Sequence, residues 1–373
     1  CGSPSCDGSV TVSRSRRGVA RLQDGGCWRW CSCSTTARAA RASFSPGTGV
    51  RPLIPNYRRT ELAAFIVEHL PLNDRVELEA GARVSSSHLL VARYDEQDVL
   101  QRPEHDFVNH ALSLGASWVA ADSLRIRFNI SSAFRPPHVS ELYSEGLHHG
   151  AAAIEEGDDR LRSERAWRAV LDVGSASRDG RWNLDATVHA SLINDFIYLR
   201  PDGLRLTVRG AFPVFTYVAT DASLVGADLA LRHGFAAHWS WAVKGSTVRG
   251  RDRSSDQWLF LMPADRLSGS LRFMHRQLGS WNSVEAELAC TAVFLQERIP
   301  AGVDLADPPP AYQLVGLSIA ATRPIGRDRL HLGVRADNLL NTAYRDLLDR
   351  FRYYTDARGR DITLWITYAF GQR

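Results

Sequence analysis

Residues 182–198 read WNLDATVHASLINDFIY, and the order within them decides the fold. Even positions carry Trp182, Leu184, Ala186, Val188, Ala190, Leu192, Asn194, Phe196 and Tyr198. Odd positions carry Asn183, Asp185, Thr187, His189, Ser191, Ile193, Asp195 and Ile197. Successive side chains of a strand point to opposite faces, so this period of two predicts one apolar and one polar face. The run is also longer than the five or six residues of an ordinary globular strand.

The pattern recurs outward from that segment. Leu124, Ile126, Phe128, Ile130 and Phe134 alternate with Arg125, Arg127, Asn129 and Ser131. Val284, Ala286, Leu288, Cys290, Ala292 and Phe294 oppose Glu285, Glu287 and Thr291. Leu330, Leu332, Val334 and Ala336 oppose His331, Arg335 and Asp337, and the last run sets Ile362, Leu364, Ile366, Tyr368 and Phe370 on one face. Strands are predicted near 60–70, 76–85, 107–119, 124–134, 164–175, 182–199, 214–232, 239–249, 265–276, 281–296, 312–323, 329–338 and 362–370, about thirteen in all.

Their connections alternate between short and long. Short ones such as SRDGR and HGFAAH follow strands in one direction; long ones such as 135–163, 200–213, 250–264, 297–311 and 339–361 follow strands in the other. All tight turns therefore lie at one end of the sheet. That arrangement is expected of a transmembrane β-barrel, with its apolar face to lipid and its polar face to the lumen. Closing the sheet also satisfies every backbone group in hydrocarbon. A propeller or sandwich accounts for the alternation but not for the paired loop lengths. Trp118, Trp182, Tyr198, Trp239, Trp281, Tyr312 and Phe370 near strand ends fit the aromatic girdles of such a wall. Arg125, Arg127, Glu285, Glu287 and Arg335 are expected in the lumen and Cys290 on the lipid face, where a thiol behaves as a small hydrophobe.

The rest of the 373-residue chain is less ordered. Residues 1–52 lack either periodicity, are rich in Ser, Arg and Gly, and hold Cys1, Cys6, Cys27, Cys31 and Cys33. A disulfide or metal knot is one reading; a disordered or out-of-frame segment joined near Val50 is the other, and the domain reading adopts it, with 53–373 as the barrel portion. The net charge of +4 comes from scattered arginines, Lys244 being the one lysine among 45 basic residues, so no nucleic-acid patch is formed. No phosphate loop, H-E-x-x-H or G-x-S-x-G motif occurs. His189 and Ser191 lie two apart on one polar face without an acid or oxyanion donor, and no enzyme is expected.

Residues 134–167, FRPPHVSELYSEGLHHGAAAIEEGDDRLRSERAW, carry a resemblance to a family. Phe134, Arg135, Pro137, Glu141, Leu142 and Tyr143, followed by Gly157, Asp158, Leu161 and Glu164, resemble an extracellular-loop signature of TonB-dependent outer-membrane receptors. Residues 338–370, NLLNTAYRDLLDRFRYYTDARGRDITLWITYAF, are similar to that family's C-terminal motif, and 261–273 resemble another of its segments. The resemblance implies an all-β, antiparallel transmembrane barrel, here a partial one of about thirteen strands. The plug domain and about nine leading strands of the 22-stranded parent are expected to be missing. It further implies energised uptake of a scarce metal or metal chelate (siderophore, haem or zinc) and a place in the bacterial outer membrane. The implied partners are outer-membrane lipid, the barrel-assembly machinery through Tyr368 and Phe370, the metal or chelate, and TonB only through the plug. Phe370 is followed by GQR, whereas the family usually ends at the aromatic. The alternative from another class is a passive, porin-like channel or surface-binding barrel.

Within the 135–163 loop the candidate ligand contacts are Arg135, Glu141, Tyr143, His148, His149, Glu155, Glu156 and Asp158. His148 and His149 could offer imidazole nitrogens, with Glu155, Glu156, Asp158 and Asp159 as carboxylates, to a borderline metal such as zinc. A histidine-containing loop of the family's zinc-uptake branch is similar. The plainer reading is a solvated charged loop. No resident cofactor is expected; zinc or an iron chelate enters as cargo.

Overall fold

A computed structural model describes residues 16–21, 27–38, 52–95 and 97–371. It contains β1 (Arg16–Arg21), β2 (Cys27–Arg38), β3 (Asn56–Asn73), β4 (Val76–Tyr94) and β5 (Leu100–Gln101). Next come β6 (Glu104–Ala121), β7 (Leu124–Arg135), α1 (Val139–Tyr143), β8 (Glu145–His148), β9 (Ala153–Glu156) and β10 (Glu164–Ala176). β11 (Trp182–Thr207), β12 (Gly210–Ala236), β13 (Trp239–Asp252) and β14 (Gln257–Trp258) follow. The chain ends in β15 (Arg266–Leu278), β16 (Trp281–Val293), β17 (Tyr312–Ile325), β18 (Asp328–Asp337) and β19 (Asp361–Ala369).

Every strand expected between residues 60 and 370 is present. Each long strand pairs antiparallel with the long strand before it, from β1 against β2 to β18 against β19. β1 and β2 fall within the segment read as disordered or out of frame, and β2 pairs with β3 from Arg29↔Val67 to Arg38↔Arg58. The side chains of the five early cysteines lie outside the described residues.

The wall is apolar on its outside. Leu114 is 61% exposed, Ile366 75% and Phe370 79%, and the same face of neighbouring strands shows Ile130, Leu171, Val188 and Leu288. In water such a surface would drive aggregation; in lipid it is the stable one. Cys290 is exposed on this face, as expected. From Val108 to Trp118 on β6 the outward run, apolar except at His110, spans about 33 Å along the strand, or about 25 Å of bilayer at a tilt near 40°. The inner face is polar: Arg125, Arg127, Asp172, Asp185 and Thr187 line one recess, and Arg272 donates to Glu285 at 2.5 Å.

Two features depart from expectation. The stretch 200–213 is not a loop, because β11 and β12 continue together as a hairpin to Thr207↔Gly210. The ladder shifts at Ile193/Phe196 and again at Pro201/Leu204, with Asp195 at φ 55° and Gly203 at φ 80°. Such bulges bend a strand without ending it. The girdle also loses two members. Tyr198 packs against the Ala151–Phe215–Phe260 cluster, and Tyr312 donates its hydroxyl to Asp346 at 2.9 Å. Trp182, stacked on His233 at 3.8 Å, and Trp118 remain at the short-turn end.

Candidate functional site: a cap over the mouth

The two clusters of buried apolar residues gather at the long-loop end of the wall. One cluster joins Leu89, Val91, Val139, Leu142, Tyr143, Leu161 and Ile197; the other joins Ala151, Ala153, Phe215 and Phe260, flanked by Val303, Leu305 and Tyr353. Residues from several connections thus share two small cores, which converts loops into a cap.

The root of the 136–163 connection is a clamp. Proline cannot donate to a ladder, so Pro136 and Pro137 release the chain from β7. Arg135 then donates Nε and Nη2 to the two oxygens of Glu164, at 2.7 and 2.9 Å, and Nη1 to Glu141 at 2.8 Å. Glu141 is the third residue of α1 and also accepts the backbone N–H of His138 at 2.7 Å, closing a capping box. Glu164 Oε1 accepts from the Ile197 amide at 2.7 Å, tying β11 in. Gly157 explains its place in the signature: a Cβ there would lie 2.5 Å from the backbone carbon of Leu142 and the nitrogen of Tyr143. Only glycine permits that approach.

From this root the chain crosses the mouth. β8 and β9 form a hairpin, and β9 adds in parallel to the far edge of β12 at Val214↔Ile154, Phe215↔Glu155 and Thr216↔Glu156. Glu155, 3% exposed, accepts from His148 Nδ1 at 2.8 Å and from Arg350 Nη1 at 2.5 Å. Arg350 belongs to the last long connection and stacks 5.2 Å from the Phe215 ring. Beside it, Tyr354 donates to the Ala152 carbonyl at 2.5 Å. Arg352, 3% exposed, donates to Asp304 at 2.6 Å and to the Tyr353 hydroxyl at 2.7 Å; Tyr353 in turn donates to Asp304 at 2.8 Å. Burial, foremost, raises the Tyr353 hydroxyl above its ordinary pKa.

The structure therefore separates the expected ligand contacts. Arg135 and Glu141 bond each other. Tyr143 is buried against Leu142, with its hydroxyl 2.6 Å from His105 Nε2, and burial pushes its pKa up to about 12. Glu155 is the tie between two loops, Glu156 pairs with Arg205 at 2.7 Å, and Asp158 is held below the usual carboxylate range, chiefly by hydrogen bonds from Arg160. His148 has one nitrogen committed to Glu155. His149 is exposed, with no side-chain partner among the described residues. Among those residues no group of three or more His, Cys, Asp or Glu side chains is arranged to hold a metal ion. Arg350, Arg352, Tyr353, Asp304 and Phe215 were not foreseen; the basic-aromatic run DRFRYY at 349–354 is the sequence signal that points to them.

The comparisons bear on this architecture. The family described as TonB dependent receptor-like, beta-barrel, matches residues 11–339. No curated protein matches the chain in sequence. Among solved structures, a copper transporter, OprC, superposes with a TM-score of 0.73 at 15% identity, covering 96% of this chain and 57% of its own. The FrpB iron transporter from Neisseria meningitidis gives 0.66 at 15% identity, with 95% and 54% covered. The ferric yersiniabactin uptake receptor FyuA from Yersinia pestis gives 0.57 at 14% identity, with 91% and 52% covered. The chain thus spans little more than half the length of these proteins, and the likeness is one of fold.

Proposed function

This chain belongs to the TonB-dependent receptor-like β-barrel family of the bacterial outer membrane, and on that premise we propose that it is the C-terminal barrel portion of an importer for a scarce metal or metal chelate. The family is one of receptors and transporters, not of enzymes. Uptake driven through TonB, with the plug as the contact, is part of the proposal.

The observation that carries the reading is the cap. A hairpin from one connection lies along the edge of β12 and is tied by Glu155 to Arg350 of another. Loops on a rigid scaffold are where binding groups are positioned, and here they converge over the mouth instead of standing apart. The copper, iron and ferric-chelate cargoes named for the three similar structures support a metal-bearing ligand. They do not select among siderophore, haem and zinc. In this reading Arg135, Glu141 and Tyr143 position the loop. His149, with the exposed side of His148, offers imidazole to the cargo, and Glu156 and Asp158 contribute negative charge at its rim. A passive channel is the competing reading.

Titration of the purified chain in detergent with zinc(II), copper(II), haem and ferric catecholate, read by tryptophan fluorescence, tests the proposal. Saturable binding of one of them is expected, weakened at least about ten-fold by His149→Ala, some 1.4 kcal/mol. Absence of saturation with all four, together with a steady ohmic conductance in planar bilayers, would favour the passive channel instead.

A further inference from the structure

The outer face of the wall carries a second site, away from the mouth. On β13 the outward residues Trp241, Val243, Gly245 and Thr247 lead up to Arg249, paired in register with the outward Val225 of β12. Eight residues separate Trp241 from Arg249, about 26 Å of strand and about 20 Å of bilayer height at a tilt near 40°. Arg249 therefore stands near the upper edge of an apolar band about 25 Å tall. Asp265, just ahead of β15, binds it through both oxygens at 2.6 and 2.8 Å and also accepts from Thr247 at 2.6 Å.

A second guanidinium shares the same carboxylate. Arg298, from the connection between β16 and β17, donates Nη2 to Asp265 at 2.9 Å. Its backbone N–H is held by the Gln296 side chain at 3.2 Å, and Gln296, 2% exposed, is fixed by the Met262 and Pro263 carbonyls. The site is thus built rather than loose. The Arg249 guanidinium, first, holds Asp265 down at about 2, so the carboxylate stays ionised. Two cations against one anion still leave a surplus positive charge. Arg298 Nε is buried and has no acceptor among the described residues. One register step higher, Arg251 lies 4.1 Å over the Trp258 ring and bonds Asp256.

The Arg249 and Arg298 side chains remain 36% and 26% exposed, and planar guanidinium groups match phosphate oxygens. At this height, on the lipid-facing side, the group that brings such oxygens is a membrane headgroup. We propose that Arg249 and Arg298, organised about Asp265, form a binding site for the phosphorylated headgroup of an outer-leaflet lipid. The site rests on the wall spanning the membrane and is independent of what the mouth binds.

The test is lipid retention by the full chain purified in detergent, counted by native mass spectrometry. The probes are a diphosphorylated glucosamine lipid (lipid A), the same lipid stripped of phosphate, and inorganic phosphate. Retention of the phosphorylated lipid is expected to exceed that of the stripped one by at least about ten-fold. The preference should be lost in Arg249→Gln/Arg298→Gln and kept in Arg329→Gln at the opposite rim. Heat-modifiable mobility reports whether each variant is folded, and the wild-type comparison needs no variant. Equal retention of the two lipids, a preference unchanged in the folded double variant, or displacement by inorganic phosphate at lipid-equivalent concentration would overturn the proposal.

Discussion

Leu114 and Leu142 show how differently two regions of this chain are held together. In the wall, Leu114 of β6 has 61% of its surface exposed; in the cap, Leu142 of α1 is 1% exposed. The wall draws its cohesion from backbone ladders and turns its greasy residues away from the protein. The cap does the reverse, burying apolar side chains in two small clusters and pairing its charges internally. One chain thus follows membrane rules below the mouth and water rules above it.

The same substitution should therefore have opposite weight in the two regions. Leu142→Ala removes buried methyl groups from a packed cluster and is expected to cost the cap about 2–5 kcal/mol. Limited proteolysis of 136–163 should quicken while the heat-modifiable mobility of the wall persists; a cap as resistant as wild type would refute the contrast. In the wall the damaging change is polar. Leu114→Arg should cost about 2–4 kcal/mol, depending on depth, in the midpoint for urea unfolding from vesicles, whereas Leu114→Ala should move it far less.

Glu155→Gln tests how the cap is closed. It leaves Arg350 without its carboxylate, and loss of a charge-assisted hydrogen bond is worth about 1.5–3 kcal/mol. Amide exchange along 145–156 should rise, with no change in β13–β18. A smaller effect follows from acid. Asp265 has its pKa lowered in the fold from 3.8 to about 2, and Asp158 is lowered too. Groups of this kind lend stability above the unfolded pKa and lose it as pH falls through the folded one. Proteolysis of 253–265 should thus accelerate between about pH 4 and pH 2 and stay flat from pH 5 to pH 8.

The wall was legible because a period of two survives in each strand whatever surrounds it. Its extremities were not. Pro201, Gly203 and Pro213 interrupt alternation in the β11–β12 hairpin, so local pattern reads as loop what the ladder keeps as strand. β1 and β2 lie in a stretch without alternation and gave no signal at all. In the cap, the signature residues were visible but their task was not. Arg135 and Glu141 read as ligand contacts because charged loop residues near a mouth resemble a site. Arg135 bonds both Glu141 and Glu164, the latter 29 residues away. The tie between Glu155 and Arg350 spans 195 residues, beyond any periodicity or spacing rule.

That long tie also dates itself. Each wall ladder joins strands that are neighbours along the chain, so the sheet can grow one hairpin at a time without waiting for distant partners. Glu155 and Ala152, by contrast, must wait for Arg350 and Tyr354, which enter only with the final connection. The cap therefore locks only after the β18–β19 connection is in place, and a locked cap reports that it is.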